Sequence, residues 1–192
     1  MRWEEEEKNV LKEWIVAQHT DEGDALAAEI GVTPIIGQLL WQRGIRTAEE
    51  ACAFLHPADT PFHDPFLMAD MERGAERVLR AVRRGEPIVI YGDYDVDGMT
   101  ATALLMRSIR ALGGNVSYYI PNRFTEGYGL NADALQQIAG EGCRLLVTVD
   151  CGIASVDTVA EAAGGMDIVI TDHHLPGQTL PPAYAVMNPH RA

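Results

Sequence analysis

Cysteine is scarce in this chain: Cys52, Cys143 and Cys151 are scattered and odd in number. Such a set builds no disulfide framework and fits a reducing compartment. Long apolar runs are missing as well. None approaches the roughly 20 residues of a membrane-crossing helix, although 47% of the 192 residues are hydrophobic, enough for a real core. The N-terminal stretch Trp3-Glu4-Glu5-Glu6-Glu7 has neither the basic nor the apolar region of a secretory signal, so a cytoplasmic protein is expected. Nucleotide fingerprints are absent too, with no Gly-x-x-x-x-Gly-Lys-Ser/Thr and no Gly-x-Gly-x-x-Gly. Basic residues are in the minority: net charge is −13, which argues against a polyanion-binding surface across the whole chain. The deficit is uneven. Residues 1–70 hold 5 basic and 14 acidic residues, a net of −9, whereas residues 71–192 hold 10 and 14, a net of −4. A local anion site in the second part is therefore compatible with the composition.

What is present centres on Ile88-Val-Ile-Tyr-Gly-Asp-Tyr-Asp-Val-Asp-Gly98. The β-branched run reads as a buried strand. Asp93, Asp95 and Asp97 follow at every second position. Like charges repel, and partial burial strips them of water, so a bound cation is the simplest compensation. An EF-hand loop is excluded by its second half, since position twelve would be Leu104 rather than Glu and a strand precedes the loop. A solvated acidic turn is the plainer alternative.

Upstream, Val10, Leu11, Trp14 and Ile15 have helical spacing. Thr33-Pro34 opens a helix whose apolar face is Ile35, Ile36, Leu39 and Leu40, with Gly44 ending it. Thr47 and Glu50 form a capping box for a short helix burying Ala51, Phe54 and Leu55. Pro57, Pro61 and Pro65 mark a non-helical connector. Asp70 is expected to cap a helix ending near Arg84, with Met71, Ala75, Val78, Leu79 and Val82 inward. Arg73, Arg77, Arg80 and Arg84 would form a stripe on its other face, solvated with Glu76–Arg80 pairing rather than phosphate-tracking. From Pro87 onward strands near 87–92, 115–120, 144–149, 167–171 and 184–187 alternate with helices near 99–112, 131–139 and 155–163. This is the βαβ pattern of an α/β fold: a mostly parallel sheet with helices on both faces, preceded by a small helical region. The expected division is a helical part with its connector over 1–66 and an α/β domain over 67–192.

The strands end in polar clusters: Asp93, Asp95 and Asp97; Asn122-Arg123 leading to Glu126-Gly-Tyr-Gly129; Asp150; and Asp172-His-His174. In a parallel sheet these ends share one edge, where ligands bind. Carboxylates with imidazole suit Mn²⁺, Zn²⁺ or Fe²⁺. Arg123, at an edge that holds cations, fits an anionic partner such as a substrate phosphate. Cys151 reads as a packing residue rather than a nucleophile.

Taken in order, Tyr91-Gly-Asp-Tyr-Asp-Val-Asp-Gly98, Ile120-Pro-Asn-Arg-Phe-Thr-Glu-Gly-Tyr-Gly129, Val147-Thr-Val-Asp-Cys-Gly152 and Thr171-Asp-His-His174 resemble the motifs of the DHH phosphoesterase superfamily. The Pro121-to-Gly129 segment, with Leu40-Trp-Gln-Arg-Gly-Ile45 and Phe54-Leu-His-Pro57 upstream, is similar to the RecJ family within it. The resemblance implies metal-dependent, 5′→3′ exonucleolytic hydrolysis of single-stranded DNA in recombination and repair, with two Mn²⁺ or Mg²⁺ ions. It implies Asp95 as a ligand of one ion, Asp97 and His173 of the other, Asp150 as the bridge, and Asp93 as an adjacent ligand. His174 would sit near the scissile phosphate, and Arg123 with Asn122 would contact phosphate. Expected partners are single-stranded DNA, a single-strand-binding protein and a helicase, with no membrane. The family carries a further aspartate ligand and a second, substrate-binding domain downstream, so the chain is expected to be the front part of a longer enzyme, weak or inactive alone. The rival functions are a small-substrate phosphoesterase acting on oligoribonucleotides, cyclic dinucleotides or pyrophosphate, and a catalytically silent replication scaffold.

Overall fold

The computed structural model describes residues 15–59, 61–162 and 165–191. Its chain forms two compact units that divide between Phe62 and His63. Within the expected helical segment over 9–16, Val10, Leu11 and Trp14 lie outside the described residues, and Ile15 is non-helical and exposed.

The first unit holds three helices, α1 (Asp21–Ile30), α2 (Pro34–Gln42) and α3 (Ala48–Leu55). Helix α1, for which no element was expected, starts at Thr20, whose side chain accepts from the Gly23 N–H at 3.2 Å. Its first turn carries Asp21, Glu22 and Asp24, which favour the positive end of the helix dipole, and it stops at Gly31 in the left-handed region. The capping box on α3 is present in full, with Thr47 and Glu50 each accepting the other's backbone N–H at 3.2 Å. The expected faces are narrower than drawn. Leu40 and Ala51 are buried with Leu26 of α1, whereas Ile35, Leu39 and Phe54 point outward.

The second unit opens with α4 (Met71–Arg84) and continues β1 (Ile88–Gly92), α5 (Val96–Ala111), β2 (Val116–Tyr119), α6 (Ala132–Gly140), β3 (Leu145–Val149), α7 (Val156–Glu161), β4 (Asp167–Thr171) and β5 (Ala185–Met187). The five strands pair in the order β2-β1-β3-β4-β5, all parallel. Side-chain alternation builds a layer on each face. Ile88, Ile90, Leu145, Val147, Val149 and Val169 pack with Ala81 of α4 and Met106 and Ile109 of α5. Tyr91, Leu146, Ile168 and Ile170 pack with Leu135 and Ile138 of α6 and Val159 of α7. The chain leaves β1 outward to β2 and returns on the other side at β3, so the strand order reverses between β1 and β3. Ligands in such sheets bind at that reversal, outside the carboxyl ends of the strands.

Three expectations for α4 are corrected. Asp70 precedes the helix but makes no side-chain cap bond: it is left-handed, with φ 61°, and its carboxylate accepts from the Val186 N–H at 3.1 Å and the Arg191 guanidinium at 2.8 Å. Tertiary partners outcompete the local cap. Nor is the arginine stripe wholly solvated. Arg77 is 4% exposed and pairs with Glu86 at 2.8 Å and Asp167 at 2.5 Å, while Arg80 lies 4.0 Å from Asp167 rather than against Glu76. Arg77 thereby ties α4 to the amino-terminal end of the sheet, away from the acidic clusters. Leu79, expected inward, is exposed, because Gly74, Arg77 and Ala81 form the buried row.

Candidate metal centre

The β1–α5 turn carries the first acidic group. Asp93 follows the strand, is 3% exposed, and its N–H donates to Val149 O at 3.3 Å, which ties it to β3. Asp95 is the N-cap of α5, its carboxylate accepting from the Gly98 N–H at 3.0 Å. That bond holds the Asp95 carboxyl below its usual range against the opposing effect of desolvation. Helix α5 therefore begins earlier than the expected residue 99, and Asp97 stands in its first turn, where the helix dipole favours an anion. Gly98 makes the turn possible, since a Cβ there would lie 2.4 Å from Asp93 O.

Just after the adjacent strand β3, Asp150 is left-handed at φ 62° and 8% exposed. Aspartate tolerates this conformation better than most residues. Its N–H donates to Thr171 O at 3.1 Å. Burial, then the neighbouring Asp95 charge, pushes the Asp150 carboxyl up, and His173, with Nε2 2.9 Å from its Oδ1, partly offsets both. Asp172, at the end of β4, accepts from the N–H groups of Ile153 at 2.9 Å and His174 at 3.1 Å and lies 2.8 Å from His174 Nδ1. This last contact raises the His174 pKa. It also points the Nδ1–H at Asp172 and leaves Nε2 as the acceptor nitrogen, 3.5 Å from the Tyr128 hydroxyl. Asp172 was not singled out as a site residue in the sequence; its signal was its place between a strand and two histidines. Tyr128, undecided from sequence, brings its hydroxyl to 3.2 Å from His174 Nδ1 and 3.4 Å from Asp150 O.

Ligand atoms of Asp93, Asp95 and Asp150 lie within 4.8 Å of one another, and so do those of Asp150, His173 and His174. Asp150 is common to both groups. Asp97 belongs to neither, but it lines a cavity of about 660 Å³ with Asp150, Asp172 and His173, walled by Met68, Met71 and Met187. The segment after β2 is braced by Glu126, which accepts from the Asn122 N–H at 2.6 Å and from the Tyr119 hydroxyl. The Asn122 side chain accepts from the Phe124 N–H at 2.9 Å, leaving its amide nitrogen unengaged by protein among the described residues. Arg123 is exposed, with its guanidinium 5.4 Å from the centre of the Tyr94 ring, between Asp93 and Asp95 in sequence. Cys151 is wholly buried and its thiol is pushed up by desolvation, which suits packing and not nucleophilic attack.

One atom tests whether these residues fit a cation. Asp93 Oδ1 is buried and has no hydrogen-bond partner among the described residues. A buried carboxylate oxygen left unsatisfied is costly, and here it belongs to a carboxylate grouped with two others. A divalent cation satisfies all three, and the mixed oxygen and imidazole donors suit a first-row metal or magnesium better than a thiolate-seeking ion.

The fold and site define an α/β domain with a carboxylate–imidazole centre at the topological reversal of a parallel sheet. The chain belongs to the DHH family: the model of that family's N-terminal domain matches residues 87–192. Among curated relatives it is 42% identical over 190 residues to the single-stranded-DNA-specific exonuclease RecJ of Bacillus subtilis, covering 98% of this chain and 23% of that protein. It is 39% identical over 174 residues to RecJ of Escherichia coli, covering 90% of this chain and 29% of that one. The crystal structure of Thermus thermophilus RecJ in complex with Mn²⁺ matches 88% of this chain and 23% of its own with a TM-score of 0.62 and 31% identity. The chain thus spans about a quarter of the length of these relatives. Among the described residues no helix is long and apolar enough to cross a membrane.

Proposed function

We propose that this chain supplies the metal-binding part of a phosphodiesterase centre that degrades single-stranded DNA from its 5′ end during recombination and repair. The observation that carries this reading is the meeting of Asp93, Asp95, Asp150, His173 and His174 at one sheet edge, around a buried carboxylate oxygen that lacks a partner. Asp150, shared by both groups, would serve both ions, with Asp93 and Asp95 holding one and His173 the other. Asp97, in the first turn of α5 and lining the same cavity, would add a carboxylate to the second ion. Two divalent cations, Mn²⁺ or Mg²⁺, would supply an activated water and offset charge on the phosphoryl oxygens.

The remaining roles follow from the protein's own groups. His174, held at Nδ1 by Asp172, offers Nε2 to hold a proton at an oxygen of the scissile phosphate. Arg123 is exposed beside the acidic turn and presents a planar fork to a phosphate. The free amide nitrogen of Asn122 donates to the same group. The proposed division is a helical region with its connector over 1–66 and a catalytic part over 67–192, four residues beyond the boundary between the two compact units. The proposed setting is cytoplasmic, with a single-strand-binding protein and a helicase as further partners.

The test is a chimera in which this chain replaces the matching 190 residues of the B. subtilis relative. It should hydrolyse a labelled single-stranded oligonucleotide with Mn²⁺, and these 192 residues alone should be slower by roughly a hundredfold or more, because they match only 23% of that relative and a slightly misplaced phosphate reacts far more slowly. A folded chimera that cleaves no phosphodiester refutes the reading.

A further inference from the structure

The flank formed by α5 and β2 differs in charge from the rest of the molecule. Residues 98–125 contain no aspartate or glutamate and three arginines, Arg107, Arg110 and Arg123, in a chain whose net charge is −13. All three are exposed. Among the described residues none of them joins an ion pair, whereas Arg77, Arg80 and Arg84 of α4 share Asp167 and Glu86. The fold therefore gives the α5–β2 arginines no acidic partner of their own.

A groove of about 370 Å³ lies beside them, lined by Met99, Met106, Ile120 and Tyr118 as well as Arg107 and Arg110. Tyr118 is 60% exposed on an edge strand that, among the described residues, pairs only with β1. Helix α5 starts at the acidic centre and runs back along β2, so the groove leads away from that centre. At the helical rise of about 1.5 Å per residue, Arg110 stands roughly 20 Å along the helix from Val96. At the near end are Arg123 and Phe124, the latter 93% exposed.

We infer that this flank is a track for single-stranded nucleic acid, holding the strand several nucleotides from the metal centre. Arg107 and Arg110 meet phosphates, and Tyr118 and Phe124 offer faces on which bases stack. Interleaved cations and aromatics on a groove are what a single strand requires, since every base has a stacking face and every linkage a charge. The inference rests on the phosphodiesterase reading, and it extends that site beyond the scissile linkage.

The experiment measures binding of a fluorescein-labelled 20-nucleotide oligothymidylate to the 192-residue chain by polarisation, without divalent metal, over a range of salt. The double variant Arg107→Glu/Arg110→Glu should weaken binding at least tenfold. Arg107→Ala/Arg110→Ala should lower the log–log salt slope by about 1.4, at about 0.7 per charge on a single strand. Tyr118→Ala, which alters the strand and not the helix, should weaken binding several-fold with the salt slope unchanged. Binding within twofold of wild type in the charge-reversed variant, or no binding by the wild-type chain, overturns the track. So does a result in which charge reversal abolishes binding of a polyglutamate peptide and spares the oligonucleotide, since the face would then belong to an acidic protein. Failure of the phosphodiesterase reading shows separately, as a folded chimera that hydrolyses nothing.

Discussion

Replacing Gly98 with alanine sets two opposing effects against each other. Alanine in place of glycine favours a helix by about 1 kcal/mol. At Gly98, however, the new Cβ would fall 2.4 Å from Asp93 O, 2.6 Å from Asp93 N and 2.7 Å from Asp93 C. These are backbone atoms at the end of a central strand and cannot rotate aside. Overpacking of this kind costs about 1–3 kcal/mol, and backbone collisions belong at the upper end. The net is a loss of roughly 2 kcal/mol, which lowers the melting temperature by about 6–10 °C for a unit of this size. Relief of the clash must push α5 away from β1, and Asp95 moves with its helix. Mn²⁺ affinity should therefore fall along with stability. Gly140→Ala is the control: nothing lies within 4 Å of its added Cβ, at the last residue of α6. That substitution should be neutral or stabilise by about 0.5 kcal/mol. Thermal unfolding by circular dichroism and Mn²⁺ titration of both variants check this. Equal melting temperatures for the two, with Mn²⁺ binding intact in Gly98→Ala, would refute the claim that close approach at Gly98 builds the site.

Three other outcomes are expected. Arg123→Ala in the chimera should weaken substrate binding and turnover while leaving Mn²⁺ affinity nearly unchanged, and Arg123→Lys should recover only part; a Lys variant equal to wild type would exclude bidentate phosphate recognition. Arg77→Ala removes the partner of Glu86 and Asp167 and should cost about 2–4 kcal/mol by urea unfolding, lowered from the roughly 3–5 kcal/mol of fully buried pairs because Asp167 is 42% exposed and regains water. At Asp70, burial works to raise the carboxyl, but the hydrogen bond and charge of Arg191 and the Val186 N–H outweigh it and hold the group low. Its contribution is thus fully present above the ordinary aspartate value of about 3.9 and is lost as pH falls through the lower, folded value. The stability gap between wild type and Asp70→Asn should be constant from pH 6 to 8 and close only in acid; a gap that already closes between pH 8 and 6 would contradict this assignment.

The sheet was legible because its signal is local. Each buried run, such as Leu145–Val149, is bounded by polar residues, and the expected strands agree with the observed ones to within a residue at either end. The site edge followed, since parallel strands bring their carboxyl ends together whatever the details. What escaped depends on contacts distant in sequence. Asp70 resembles an N-cap, but its partners Val186 and Arg191 lie more than 100 residues away. Arg77 resembles a surface arginine until Glu86 and Asp167 close over it. Asp172 resembles the first letter of a ligand motif, yet its carboxylate is spent on Ile153 and His174, orienting one histidine rather than joining either ligand group. Helix α1 was readable from Thr20, its acidic first turn and Gly31, and was passed over because its apolar stripe is only Leu26, Ala27 and Ile30.

The central claim is that Asp150 joins two halves of one metal centre. It is tested most directly by isothermal titration of Mn²⁺ into the wild-type chain and the Asp150→Ala variant at pH 7, each first shown to be folded. Wild type should bind Mn²⁺ saturably and melt at higher temperature with it, because an ion held only by the folded state stabilises that state. Asp150→Ala should lose most of the binding heat and most of the thermal shift, since Asp150 is the residue common to both ligand groups. Equal Mn²⁺ affinity in the folded variant would contradict the account.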